Sequence, residues 1–153
     1  MNWEQLRENI YFIDGSLRDI YIFDTTEKDW QIWVEFVNEN YPVTFPNYDL
    51  ATKQTQIDFN KVLKGWDDLD ADRYTASVYL DGIKVNAHFF IESEIENDIT
   101  PTEINSIDDH LKLLEYMKKV STLLNKKVVL TPENMPNEVL IMVYHYEVII
   151  TLS

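Results

Sequence analysis

Apolar positions recur along this chain with two periods, and the switches between them mark its elements. Residues 3–9 read as a short helix. Residues 10–13 and 17–23 are rich in β-branched and aromatic side chains and flank Asp14-Gly15-Ser16, which predicts a hairpin. Trp30, Trp33, Val34 and Val37 then follow i, i+3, i+4, i+7 spacing. That predicts a helix of about 13 residues capped by Thr25 or Thr26, with Glu27 and Asp29 at its positive end. Pro42 and Pro46 make residues 41–55 a loop or an edge strand. Phe59, Val62, Leu63 and Trp66 fit one more short helix, ended by Gly65 and the acidic residues 67–72.

The period then shortens to two. Residues 73–80 and the segment from Ile83 onward flank Asp81-Gly82, a strong two-residue hairpin signal. The register follows: Leu80 faces Ile83, Val78 faces Val85, Ala76 faces Ala87 and Tyr74 faces Phe89. All eight are apolar or aromatic and share one face, and a slip of one residue would destroy the match. If the second strand runs on without a break, Ile83, Val85, Ala87, Phe89, Ile91, Ile95 and Ile99 point one way. Lys84, Asn86, His88, Phe90, Glu92, Glu94, Glu96 and Asp98 point the other, joined by Arg73, Thr75, Ser77 and Tyr79.

Helical spacing returns over residues 107–125, where Ile107, Leu111, Leu114, Met117 and Leu124 form the expected buried stripe. Ser106 with Asp109 resembles a capping box, and Lys118, Lys119, Lys126 and Lys127 sit toward the negative end. Residues 127–130 and 139–152 complete the chain as strands around Thr131-Pro132-Glu133-Asn134. In the last strand, Leu140, Met142, Tyr144, Tyr146, Val148, Ile150 and Leu152 are expected to face the core. The order predicts a two-layer α+β fold: a mostly antiparallel sheet packed against a long C-terminal helix and one or two shorter helices, in a single domain over residues 1–153.

Composition narrows the function. Thirteen Lys and Arg stand against 27 Asp and Glu, a net charge of −14. Charge of that sign repels phosphate backbones, which argues against nucleic acid and anionic membranes and favours a basic protein partner. Cysteine is absent, which excludes disulfides, thiolate nucleophiles and cysteine zinc sites. The opening residues carry no apolar run after a basic start, and the apolar residues 139–152 are too short to span a bilayer, so the expectation is a soluble cytoplasmic protein.

Motifs of catalysis are missing. The three glycines form no G-x-G-x-x-G, P-loop or G-x-S-x-G, and no cofactor is expected. Asp68, Asp70 and Asp72 have the spacing that starts a calcium loop, but Arg73 stands where glycine is needed and Tyr79 where the bidentate glutamate belongs. On a regular strand Glu92 would lie roughly 13 Å from His88, too far to orient it. His88 therefore reads as a surface histidine, His110 as structural, and His145 as packing or surface. The four acids could hold a cation only loosely, since neighbours two apart on a strand are about 7 Å apart. Two tryptophans fall at core spacing, and Trp3 is the candidate exposed contact. An ordinary solvated sheet face is the plain account of the polar side. Phe90 argues against it, because an aromatic ring on a polar face is either covered or awaits a partner.

Several stretches resemble a family of small, little-characterised bacterial α+β proteins. They are Gly15-Ser16-Leu17-Arg18-Asp19-Ile20-Tyr21, Asp29-Trp30, Asp81-Gly82-Ile83 with Val85-Asn86, His88-Phe89-Phe90 before the acids, and Leu130-Thr131-Pro132-Glu133-Asn134. Small acidic proteins of this kind are similar to toxin-system immunity proteins in size, charge, compartment and lack of chemistry, though not through a shared motif. The resemblance implies no catalytic residues. It implies a protein-binding module, an immunity-type inhibitor of a basic toxin such as a nuclease. The expected contacts are Arg73, Tyr79, Asn86, His88, Phe90, Glu92, Glu94 and Glu96. The alternatives are a small enzyme or ligand-binding protein built around His88, and a structural subunit whose aromatics cover an oligomer interface.

Overall fold

Capping and periodicity place the helices where the pattern puts them. The computed structural model describes residues 1–47 and 52–151. Helix α1 (Trp3–Asn9) opens with a capping box between Asn2 and Gln5. Strand β1 (Arg18–Phe23) follows. Helix α2 (Glu27–Asn40) opens with a second capping box, between Thr26 and Asp29, and buries Trp30, Trp33, Val34 and Val37. Strands β2 (Val43–Asn47) and β3 (Thr52–Gln54) lie within the proline-bearing segment, of which residues 48–51 are outside the described residues. Helix α3 (Phe59–Asp67) contains Gly65 and continues through it to an Asp68 cap, so glycine does not end this helix as expected.

The register of β4 (Thr75–Tyr79) and β5 (Lys84–Ile91) is the one the sequence predicts: Ala76 faces Ala87 and Val78 faces Val85. Leu80 with Ile83 and Tyr74 with Phe89 extend it by backbone hydrogen bonds. Asp81 and Gly82 both take positive φ, as a type I′ turn requires.

Beyond Ile91 the chain departs from the expected long strand. It turns at Glu92-Ser93 and returns as β6 (Glu94–Ile99), antiparallel to β5. A bulge between His88 and Ile91 shifts the register, so Ile91 leaves the core face and is exposed. Neither turn residue takes positive φ. Tertiary contacts pin the turn: Thr25 donates from N to Ser93 O and from Oγ1 to Glu92 O, and Trp30 Nε1 donates to Ile91 O.

Helix α4 (Ile107–Leu124) buries His110, Leu113, Leu114, Tyr116, Met117, Val120, Ser121 and Leu124. The expected stripe is corrected at Leu111, which is exposed. Asp109 reaches back to Asn105 N, one residue before the Ser106 cap. Strand β7 (Val128–Pro132) is followed by β8 (Ile141–Tyr144) and β9 (Glu147–Ile150), a hairpin where one last strand was expected. Its core-facing residues are Ile141, Val143, Val148 and Ile150. Met142 and Tyr144 point away, and Tyr146 lies exposed in the turn where His145 takes positive φ. Leu152 is outside the described residues.

The strands form one antiparallel sheet in the order β3-β2-β4-β5-β6-β1-β7-β8-β9. The four helices of the described residues contribute to the core on one side of it, which gives the α+β architecture. The other expected hairpin strand, residues 10–13, does not form. Ile10 and Tyr11 are buried in a loop held by Arg18, whose guanidinium donates to the carbonyls of Ile10, Phe12 and Leu17. Trp3 is half-buried and stacks on Tyr11, so it is not the exposed contact residue the sequence suggested.

Candidate functional site

With every helix on one side, the opposite face of the sheet is left to its own side chains. The β5–β6 turn brings the acids back beside His88 instead of carrying them away from it. Glu96 pairs with His88 and Asp98 with Asn86. Strand β1 lies on the far side of β6 and sets Asp19 against Asp98, Tyr21 against Glu96 and Phe23 against Glu94.

A hydrogen-bonded chain crosses three strands. Ser77 Oγ donates to Asn86 Oδ1 at 3.0 Å, and Asn86 Nδ2 donates to Asp98 Oδ1 at 2.9 Å. His88 Nε2 donates to Asp98 Oδ2 at 2.5 Å, and His88 Nδ1 lies 3.1 Å from Thr75 Oγ1. Phe90 stacks flat on the imidazole, with ring centroids 5.1 Å apart, yet stays half exposed.

Asp19, Tyr21 and Asp98 are buried within this face. Tyr21 Oη and Asn134 N both donate to Asp19 Oδ2, and Leu17 N donates to Glu133 Oε1, so the turn after β7 closes over one edge. Burial raises the pKa of Asp19, helped by the charges of Asp98 and Glu133. Burial and the neighbouring Glu96 raise that of Glu94. At His88, burial works against the charged form but is outweighed. The hydrogen bond to Asp98 and the carboxylates of Asp98, Glu96 and Asp19 raise its pKa. At Asp98, burial is likewise outweighed by the bonds from His88 and Asn86, and its pKa is lowered.

The expected contact residues are only partly assembled. Asn86, His88, Phe90, Glu94 and Glu96 share the face. Glu92 is exposed in the turn, off the ladder. Tyr79 lies at the far end of β4, its Oη 3.5 Å from Thr44 Oγ1. Arg73 is turned to the end of α3, where its guanidinium donates to the carbonyls of Gly65 and Asp68 and reaches Phe90 O. The sequence pattern places Asp98 on this face without marking it as a contact. Asp19, Tyr21 and Phe23 join it from β1, and their alternation with Ile20 and Ile22 is the signal for them in the sequence.

Thr75, His88 and Asp98 align hydroxyl, imidazole and carboxylate as an activated nucleophile would require. The strands around them are paired in the ladder, which is interrupted at the bulge between His88 and Ile91. A groove of about 780 Å³ lies elsewhere, between the end of α2, the β4–β5 turn and α4, and is lined by Tyr41, Tyr79, Leu111 and Lys112. Among the described residues no group of three or more histidines and acids is placed to hold a metal ion, and no helix is long and apolar enough to cross a membrane. Comparison of the chain with family models, with curated proteins and with solved structures finds no match.

Proposed function

We propose that this protein is a binding module whose open sheet face docks a basic protein, in the manner of an immunity protein that neutralises a toxin. The observation that carries the reading is the make-up of that face. Phe23, Phe90 and Ile91 stand exposed beside Glu94, Glu96, Asp98 and Asp19. Aromatic and aliphatic anchors beside a cluster of carboxylates are what a steered, specific interface needs. The net charge of −14 extends the same sign over the molecule. A test is co-expression with the product of the gene immediately upstream, assayed first for basic charge and toxicity on its own. A one-to-one complex on size exclusion, with relief of that protein's toxicity, supports the reading. Failure of both at low salt overturns it.

A second reading rests on the Thr75–His88–Asp98 chain, which has the order of groups used in acyl transfer. Hydrolysis of activated esters that disappears in both Thr75→Val and His88→Gln would favour it. Equal background rates in all three proteins would remove it.

A further inference from the structure

Among the described residues, His88 is the single basic group hydrogen-bonded within a cluster of carboxylates on the face proposed as the docking surface. Asp98 and Glu96 approach it from β6, and Asp19 and Tyr21 stand behind them on β1, with Glu133 beside Asp19. From β4 it meets the Thr75 hydroxyl. On β5 its neighbours are Asn86 and Phe90, with the charge of Lys84 acting on Asp98.

Its bonding suits either protonation state. Asp98 accepts only, so Nε2 keeps its proton throughout. Thr75 Oγ1 can donate to a bare Nδ1 or accept from a protonated one, because a hydroxyl does both. The ring can therefore gain or lose a charge without breaking a contact. What changes is the field outside. The carboxylates of Asp19, Glu94, Glu96 and Asp98, with Lys84 as a fixed cation acting on Asp98, face one imidazolium or none.

We infer that His88 gates this face, which binds a cationic side chain of its partner tightly when the imidazole is neutral and weakly when it is protonated. The inference rests on the reading of the face as a docking surface for a basic protein. The partner's cation and the proton on His88 compete for the same carboxylates, so binding expels the proton. By linkage, affinity rises with pH through the titration of His88. The half-exposed Phe90 ring, stacked on the imidazole, gives an arriving guanidinium a flat surface to cover.

The probe is an N-acetylated, arginine-rich peptide amide, whose own charge does not change in the range used. Its affinity is measured by calorimetry at low salt from about pH 5.5 to about pH 8.5, with the His88 ring followed by NMR. The expected result is a rise of about three- to tenfold, the effect of one screened charge at close range. Its midpoint should coincide with the ring titration. His88→Gln should bind at the high-pH level throughout. Thr75→Val keeps a titratable ring, and its binding midpoint should move as far as its ring titration does, which keeps the test intact should His88→Gln fail to fold. A pH-independent affinity in the parent protein, or a slope that survives in His88→Gln, overturns the gate and leaves the docking surface standing. Absence of binding at every pH, or binding indifferent to Glu94→Gln with Glu96→Gln, overturns the surface and the gate together.

Discussion

Burying a guanidinium costs several kcal/mol unless its N–H groups find acceptors, and Arg18 finds them in the main chain. Its side chain is fully buried, and it donates to Ile10 O, Phe12 O, Leu17 O and Ser16 Oγ while lying over the Phe12 ring. It thus holds a loop where a strand partner was expected. Arg18→Met keeps the stem and strands those acceptors, and unfolding by denaturant should show a loss of about 3 kcal/mol or more. A near-neutral change would mean that the loop closes on its apolar contacts alone. Two histidines leave opposite signatures on pH. Burial beside Tyr11 lowers His110 to about 4. Below the ordinary value of about 6.5 the unfolded chain therefore takes up a proton that the folded chain refuses, and stability falls toward pH 4. His88 is raised, its carboxylate partners outweighing burial. Its contribution is full below about 6.5 and is lost as pH rises through the folded value. Thermal midpoints across pH should show an acid limb that flattens in His110→Leu and an alkaline limb that flattens in His88→Gln. The reverse assignment would show that the charged and neutral rings have been exchanged.

Helix α4 separates packing from pattern. Leu111 and Leu114 are both leucines within one turn, yet Leu111 is 51% exposed and Leu114 is 6% exposed. Leu114→Ala should cost about 2–5 kcal/mol and Leu111→Ala should be near neutral. Equal costs would mean that the helix is rotated from the face described. The sequence misleads here because the buried stripe includes His110, Tyr116 and Ser121, whose polar tips are satisfied inside. Tyr116 Oη accepts from Trp33 Nε1 and donates to Asn97 Oδ1, and Ser121 Oγ donates to Lys126 O. Legibility of the strands followed turn chemistry. Asp81-Gly82 announces positive φ, so the β4–β5 register could be read residue by residue. Glu92-Ser93 and His145-Tyr146 carry no glycine, proline or asparagine. Two hairpins therefore read as single strands, because what bends them is tertiary: Thr25 and Trp30 on one turn, Ser121 and Asn125 on the other. The face of the candidate site was legible, but the meeting of His88 with Asp98 was not, since it exists only once β6 folds back.

At the scale of the whole molecule, the charge of −14 acts against folding and in favour of binding. Like charges repel more when the chain is compact, and Glu94 and Glu96 stand beside Asp19 and Asp98 on one face. Burial and Glu96 already raise the pKa of Glu94, so its charge opposes the fold at neutral pH. Added salt should therefore raise the thermal midpoint of this protein while weakening its hold on a basic partner, because screening relieves one interaction and removes the other. Replacing Glu94 and Glu96 with Gln keeps shape and leaves the Tyr21 hydroxyl its bond to Asp19. Asp98 is left in place because it holds His88. The double variant should be as stable as the parent or slightly more so, with a midpoint that depends less on salt. Its association with a basic partner should slow, with dissociation changed less, as expected when charges steer the encounter. Stopped-flow association against ionic strength, run beside thermal melts, reads both quantities on the same samples. Lost stability with association intact would mean that the two glutamates are paired internally, and the docking surface would then lie on another part of the molecule.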